Sequence, residues 1–134
     1  MPSTARSSFG AVGIGVSDLA RSVDFYTRVL GMVQLQKFAL PDMDEVVVGF
    51  EGSRASAIVL MHWTDGSART YGYDSMKLVL YVADPTATAA AIRADGCQIV
   101  LEPAPIPMLA DAVVGFAKDP DGYLIELLQS PTKG

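Results

Sequence analysis

Apolar and polar residues alternate over short runs separated by turn residues, a pattern typical of β-strands. Residues 9–16 (Phe-Gly-Ala-Val-Gly-Ile-Gly-Val) alternate small and apolar side chains. This alternation predicts a strand with one face close to other backbone or to a ligand. Three more strands are expected in this half of the chain, at residues 32–40, 45–51 and 56–63.

Two stretches carry helix signals at both ends. Ser17 or Asp18 is expected to cap the first helix, and Gly31 to end it as the residue after the C-cap. In the second, Asp84 supplies the cap and Pro85 the first helical position, and a glycine follows Asp95. Each predicted helix directly follows a predicted strand.

The order strand–helix–strand–strand–strand occurs twice along the chain. Strands are again predicted at 76–82, 98–101, 112–118 and 123–129. A repeat unit that cannot bury its apolar face alone must pack against the other unit. The sequence therefore predicts an α+β fold of two βαβββ modules, whose curved half-barrel sheets surround a cleft. The expected divisions are a disordered leader 1–8 and a domain 9–130, made of module one 9–63, connector 64–75 and module two 76–130.

Residues 102–109 contain three prolines and several apolar side chains. This composition predicts a stiff loop, and its apolar content favours a flap over the cleft. Met108 near its end is a candidate ligand contact.

Composition and charge bear on the expected partners and location of the protein. The chain has 134 residues, half of them hydrophobic, a net charge of −5, and no run of lysines and arginines. Nucleic acid and membrane are therefore not expected partners. The single cysteine, Cys97, forms no internal disulfide, and we expect a buried, inert thiol. With no secretory signal and no membrane span in the sequence, a cytoplasmic protein is expected.

One carboxylate stands out on an otherwise apolar strand. Pro120 and Gly122 form a tight turn that feeds the last strand, on which Glu126 is the only charged residue. Either this strand lies at a sheet edge with Glu126 in water, or Glu126 is a ligand or a charge inside a cavity.

Three stretches, 16–26, 29–32 and 119–127, together with the repeated order, resemble the vicinal oxygen chelate superfamily. This superfamily includes glyoxalase I, extradiol dioxygenases and bleomycin-resistance proteins. The resemblance covers most of residues 9–129 and implies the paired βαβββ fold. It says little about the reaction, because one fold hosts many chemistries.

The metal-dependent members of that superfamily take one ligand from each of the first, fourth, fifth and eighth strands. By position, the resemblance places these ligands at Ala11, Val59, Lys77 and Glu126. Only Glu126 carries a donor for a divalent cation, and a protonated Lys77 repels one. The expectation is a site without metal and without another cofactor.

Strand alternation from these four positions predicts the walls of the cleft. The expected lining is Ala11, Gly13, Gly15, Ala57, Val59, Met61, Trp63, Lys77, Val79, Tyr81, Leu124, Glu126 and Leu128. Lys77 and Glu126 should lie on paired strands and form an ion pair. Either the pair fills the vacated metal position, or Glu126 acts as a base and Lys77 binds a substrate carboxylate or enolate.

The remaining candidates are less informative. His62, the only histidine, should face away from Val59 and toward the helices or solvent. Tyr71 and Tyr73 of the connector either cover the mouth of the cleft or contribute to a homodimer.

Two functions follow as hypotheses. The first is a protein that binds a small apolar or aromatic molecule, similar to the antibiotic-binding resistance proteins. The alternative is a lyase or isomerase resembling glyoxalase I or the epimerases, in which Glu126 acts with or without a divalent metal.

Overall fold

The computed structural model describes residues 6–52 and 56–131, so much of the predicted leader lies outside the described residues. The first half contains β1 (Ala11–Gly15), α1 (Leu19–Asp24) with a π-helical continuation (Phe25–Val29), β2 (Val33–Ala39), β3 (Met43–Gly49) and β4 (Ala57–Trp63). The second half contains β5 (Lys77–Val82), α2 (Pro85–Ala94), β6 (Ile99–Ile106), a 3-10 turn (Pro107–Leu109), β7 (Ala112–Lys118) and β8 (Leu124–Gln129).

Each half builds one four-stranded sheet, with the orders β1-β4-β3-β2 and β5-β8-β7-β6. The first strand of each half runs parallel to the last, and the other neighbours are antiparallel. The two open sheets are the curved half-barrels expected of an α+β fold with repeated βαβββ order, which confirms the predicted fold class.

The helix boundaries follow their local signals. The Asp18 carboxylate, rather than Ser17, accepts a hydrogen bond from an N–H in the first turn of α1. Asp84 does the same for α2. Gly31 ends the first helical segment at a φ of +83°, a conformation that glycine adopts without strain. Within the described ranges, no helix has both the length and the apolar character needed to cross a membrane.

The prediction of a flap at residues 102–109 is wrong for most of these residues. Residues 102–106 continue β6, which is the edge strand of the second sheet. An edge strand tolerates Pro103 and Pro105 because one row of its backbone groups needs no partner strand, and the pairing with β7 is irregular here. Gly115 on β7 makes room, since a Cβ there would lie 2.8 Å from Pro103 Cγ.

The hydrophobic core contains side chains from both sheets and from the helical segments that pack on them. Alternate residues of β1, β4, β5 and β8 point into it, and the helical segments contribute Phe25 and Ile92. The core strand residues include Ile14, Ile58, Leu60, Leu78, Leu80, Ile125 and Leu127. Period-two alternation therefore turns the opposite face of each sheet, which carries Val59 and Val79, away from the core.

Polar contacts tie the two halves together beside this core. The buried Tyr26 hydroxyl donates to Asp119 Oδ2 at 2.7 Å. The Tyr123 hydroxyl donates to the carbonyl oxygen of Gly15 at the same distance. Burial raises the pKa of the Asp119 carboxyl, while hydrogen bonds from Tyr26 and from two backbone N–H groups oppose that shift. The turn before β8 is thus anchored to the first half of the chain.

Candidate functional site

The first sheet carries one of the two predicted walls. Register pairs Ala11 with Ala57 and Gly13 with Val59 across the parallel β1 and β4 strands. We call this face, with Met61 and Trp63 farther along β4, the first wall. A cavity of about 510 Å³ lies on it. Its lining is Gly10, Ala11, Leu35, Gln36, Phe38, Glu45, Val47, Ala57 and Val59.

The far end of the first wall forms a smaller cavity of about 240 Å³. Met61 and Trp63 line it together with Arg69 and Tyr73 from the connector. Of the two interpretations offered for Tyr73, its position favours a role at the cleft.

The second sheet carries the other wall, formed by β5 and β8. Glu126 lies on β8, an inner strand, and pairs in register with Val79. The interpretation of Glu126 as an edge-strand residue in water is therefore wrong, and its side chain is only 11% exposed. We call this face, with Lys77, Val79 and Tyr81, the second wall. These three residues line a cavity of about 600 Å³ along β5, which residues of the first half such as Phe9 and Ile58 also border and which Glu126 does not reach.

Lys77 and Glu126 form the expected ion pair. Lys77 Nζ donates to Glu126 Oε1 at 2.6 Å and lies 5.8 Å from the centre of the Phe116 ring. The Lys77 side chain is 51% exposed, so solvent reaches one end of the pair. The carboxylate is desolvated and held by one cation, which is the arrangement that lets a buried charge persist.

The structure separates some residues that the sequence grouped. Val59 and Lys77 line different cavities. Both walls carry exposed apolar side chains, including Leu35 and Phe38 on the first and Tyr81, 65% exposed, on the second. Leu124 is half-buried beside Lys77 in the strand register. Met108 is 88% exposed on the turn after β6 and borders none of these three cavities.

The residues at the four positions where the resemblance places metal ligands do not fit a divalent metal. The side chains of Ala11 and Val59 have no atom that can coordinate a metal. The Lys77 ammonium is bonded to Oε1 of the Glu126 carboxylate. Among the described residues, no three His, Cys, Asp or Glu side chains cluster closely enough to hold a metal ion. These walls therefore offer no set of metal ligands.

Two other candidates point away from the walls. His62 Nδ1 lies 3.0 Å from the carbonyl oxygen of Val16, a residue between β1 and α1. This contact requires the proton on Nδ1 and confirms the expected orientation. Burial raises the pKa of the half-buried Cys97 thiol, although the Arg21 guanidinium beside it acts in the opposite direction. The raised pKa and the partial burial favour an inert thiol, although Cys97 is not fully buried as the sequence predicted.

Sequence reasoning missed the contribution of β2 and β3 to the first wall. Leu35, Phe38 and Glu45 line the cavity beside Val59. Alternation within the predicted strands could have found them, had their order in the sheet been known. It also missed Arg69, for which the polar connector offers no periodic signal.

A double-mutant cycle tests the Lys77–Glu126 pair. Because Lys77 is half exposed, we expect a coupling free energy of about 1 kcal/mol between Lys77→Met and Glu126→Gln. Denaturant unfolding of the two single variants and the double variant measures it. The pair of Arg93 and Glu102, in which both side chains are more than half exposed, serves as control, with a coupling of about 0–0.5 kcal/mol. Additivity within about 0.3 kcal/mol at Lys77 and Glu126 would contradict the contact.

Comparisons with known proteins agree with the fold. The sequence profile of the glyoxalase/bleomycin resistance protein/dioxygenase superfamily matches residues 8–127. A probable lactoylglutathione lyase of Synechocystis is 36% identical over 124 residues, which cover 90% of this chain and 93% of that protein. A lactoylglutathione lyase of Arabidopsis thaliana is 32% identical over 117 residues, or 85% of this chain, but this chain spans only 41% of its length.

The fold also matches solved structures. Glyoxalase I from Zea mays superimposes with a TM-score of 0.80 at 28% sequence identity. The match covers 93% of this chain and 46% of the maize chain. This chain thus corresponds to about half of the maize protein.

Proposed function

This chain belongs to the glyoxalase/bleomycin resistance protein/dioxygenase superfamily, and we propose that it binds a small apolar or aromatic molecule without a divalent metal. One observation carries the proposal. Where the metal-dependent relatives are expected to supply four ligands, this chain places Ala11, Val59 and an ion pair of Lys77 with Glu126. Such walls, apolar with a few placed polar groups, are typical of small-molecule sites.

We also propose that two chains complete the cleft. Each wall is open within one chain and carries apolar side chains, such as Phe38 on the first and Tyr81 on the second. A two-fold axis that places the first wall of one chain over the second wall of its partner covers both at once and makes two equivalent clefts. Each cleft would then be bordered by Val59 from one chain and by the Lys77–Glu126 pair from the other.

A second function is supported by sequence identity. The relatives described above include proteins named lactoylglutathione lyase at 32% and 36% identity. A lyase or isomerase activity would need a group that moves a proton, and Glu126 is the carboxylate on the second wall. Lys77 Nζ, partly solvent-accessible, would then bind the carboxylate or enolate oxygen of a substrate.

Native mass spectrometry and metal analysis of the purified protein test the first function. We expect a co-purifying small molecule and no stoichiometric metal. About one Zn, Ni, Mn or Fe per chain, lost in Glu126→Ala, would overturn the metal-free proposal.

Formation of lactoylglutathione from glutathione and methylglyoxal separates the two functions. If the alternative holds, the wild-type protein catalyses this reaction and Glu126→Gln does not, while the control Glu102→Gln on the exposed side of β6 stays active. Absence of turnover together with a retained ligand supports binding alone.

Sedimentation at micromolar concentration tests the two-chain cleft. We expect a dimer that Tyr81→Glu dissociates, because the change places a charge on the covered wall. Met108→Glu is the matched control, since Met108 is exposed but belongs to neither wall. A wild-type monomer would reject the arrangement.

A further inference from the structure

An arginine stacks on the only tryptophan of the chain. Arg69 Cζ lies 4.1 Å from the centre of the Trp63 ring, within the range of a cation–π contact. Both side chains line the cavity of about 240 Å³ at the end of the first wall, with Met61 and Tyr73. Gly15 leaves room for the indole, because a Cβ there would lie 3.0 Å from a Trp63 ring carbon.

A short chain of hydrogen bonds fixes the guanidinium by one edge. Asp65 Oδ1 accepts from the Ser67 hydroxyl at 2.5 Å and from the Ser67 backbone N–H at 2.9 Å. Arg69 Nε in turn donates to Ser67 Oγ at 3.0 Å. The Ser67 hydrogen bonds lower the pKa of the Asp65 carboxyl, so the anchor stays charged at neutral pH.

The opposite edge of the guanidinium remains available. In the part of the chain that the structure describes, Arg69 Nη1 and Nη2 donate no hydrogen bond and belong to no ion pair. A planar guanidinium whose Nε is already bonded presents its two terminal nitrogens as a fork, which matches the two oxygens of a carboxylate. A cation held over an aromatic ring, with two terminal nitrogens that have no other partner among the described residues, suits a ligand that ends in an anion.

We propose that Arg69 and Trp63 form a carboxylate-binding subsite for the molecule held on the first wall. The proposal rests on the small-molecule function proposed above and adds a chemical class: an apolar or aromatic carboxylate. Val59 and Trp63 are four residues apart on β4, which corresponds to about 13 Å along the strand. A ligand that reaches both positions is therefore elongated, with its charged end at the connector and its apolar part over Val59.

Fluorescence of the single tryptophan reports directly on this pocket. The probes are 3-phenylpropanoate and its neutral analogue of nearly the same shape, 3-phenylpropanamide, titrated with excitation at 295 nm. We expect the carboxylate to bind about tenfold more tightly than the amide, the size expected of a charge-assisted hydrogen bond. Arg69→Gln should remove this preference and leave the affinity for the amide within about twofold.

Arg93→Gln is the matched control, because it removes the same charge from an exposed position on α2. It should keep the preference for the carboxylate, and circular dichroism checks that both variants fold. Equal affinity of the wild type for the two probes, or an Arg69→Gln variant that keeps the preference, overturns the subsite and leaves the small-molecule function standing. No change in Trp63 emission with either probe also overturns the subsite, and the co-purifying ligand then decides the proposed function separately.

Discussion

Replacing Asp119 with alanine is expected to lower the free energy of unfolding by about 3–5 kcal/mol, one of the largest effects of any single change in this chain. Asp119 is 4% exposed, and its carboxylate accepts three hydrogen bonds. They come from the Tyr26 hydroxyl at 2.7 Å and from the backbone N–H groups of Asp121 and Tyr123 at 2.9 Å. Alanine leaves three buried or part-buried donors without that acceptor. Urea unfolding followed by circular dichroism measures the loss.

Tyr26→Phe is the matched control for this effect. It removes one of the three donors and leaves the carboxylate and both backbone hydrogen bonds in place. We expect a loss of about 1–2 kcal/mol, clearly smaller than for Asp119→Ala. Equal losses for the two variants, or a loss below about 1 kcal/mol for Asp119→Ala, would mean that Asp119 does not anchor the turn before β8.

Gly72→Ala is expected to cost about 3 kcal/mol or more, from backbone strain and a steric clash together. Gly72 has a φ of +72°, and a Cβ there would lie well under 3.0 Å from the carbonyl oxygen of Asp121. That oxygen belongs to backbone held by Asp119, so it cannot move aside without disturbing a buried cluster. Thermal unfolding of the variant measures the effect.

Gly66→Ala separates the two contributions. Gly66 lies in the same connector with a φ of +77°, but a Cβ there would meet nothing within 4 Å. Its cost is expected to be the strain alone, about 1–2 kcal/mol. If both variants lose the same stability, the connector does not pack against the turn at Asp121 as the structure describes.

The local rules of the sequence determined much of the fold. A cap or a helix-ending glycine acts within one turn of backbone, which is why Asp18, Asp84 and Gly31 marked the helix boundaries correctly. Alternation has a fixed period of two, and it therefore placed His62 correctly on the face opposite Val59. The pairing of Lys77 with Glu126 also followed, because the resemblance to the superfamily implies that the first and last strands of each half, here β5 and β8, are neighbours.

Only the tertiary structure decided the remainder, because the contacts involved join residues far apart in sequence. β6 continues through Pro103 since its place at a sheet edge, invisible in the sequence, removes the need for a second partner strand. Asp119 meets Tyr26 across 93 positions of the chain, and no local pattern links them. Arg69 reaches Trp63 through a connector without periodicity. Strand alternation alone determines which residues form the two walls. The packing of the two halves around a common core determines that both walls stay exposed within one chain.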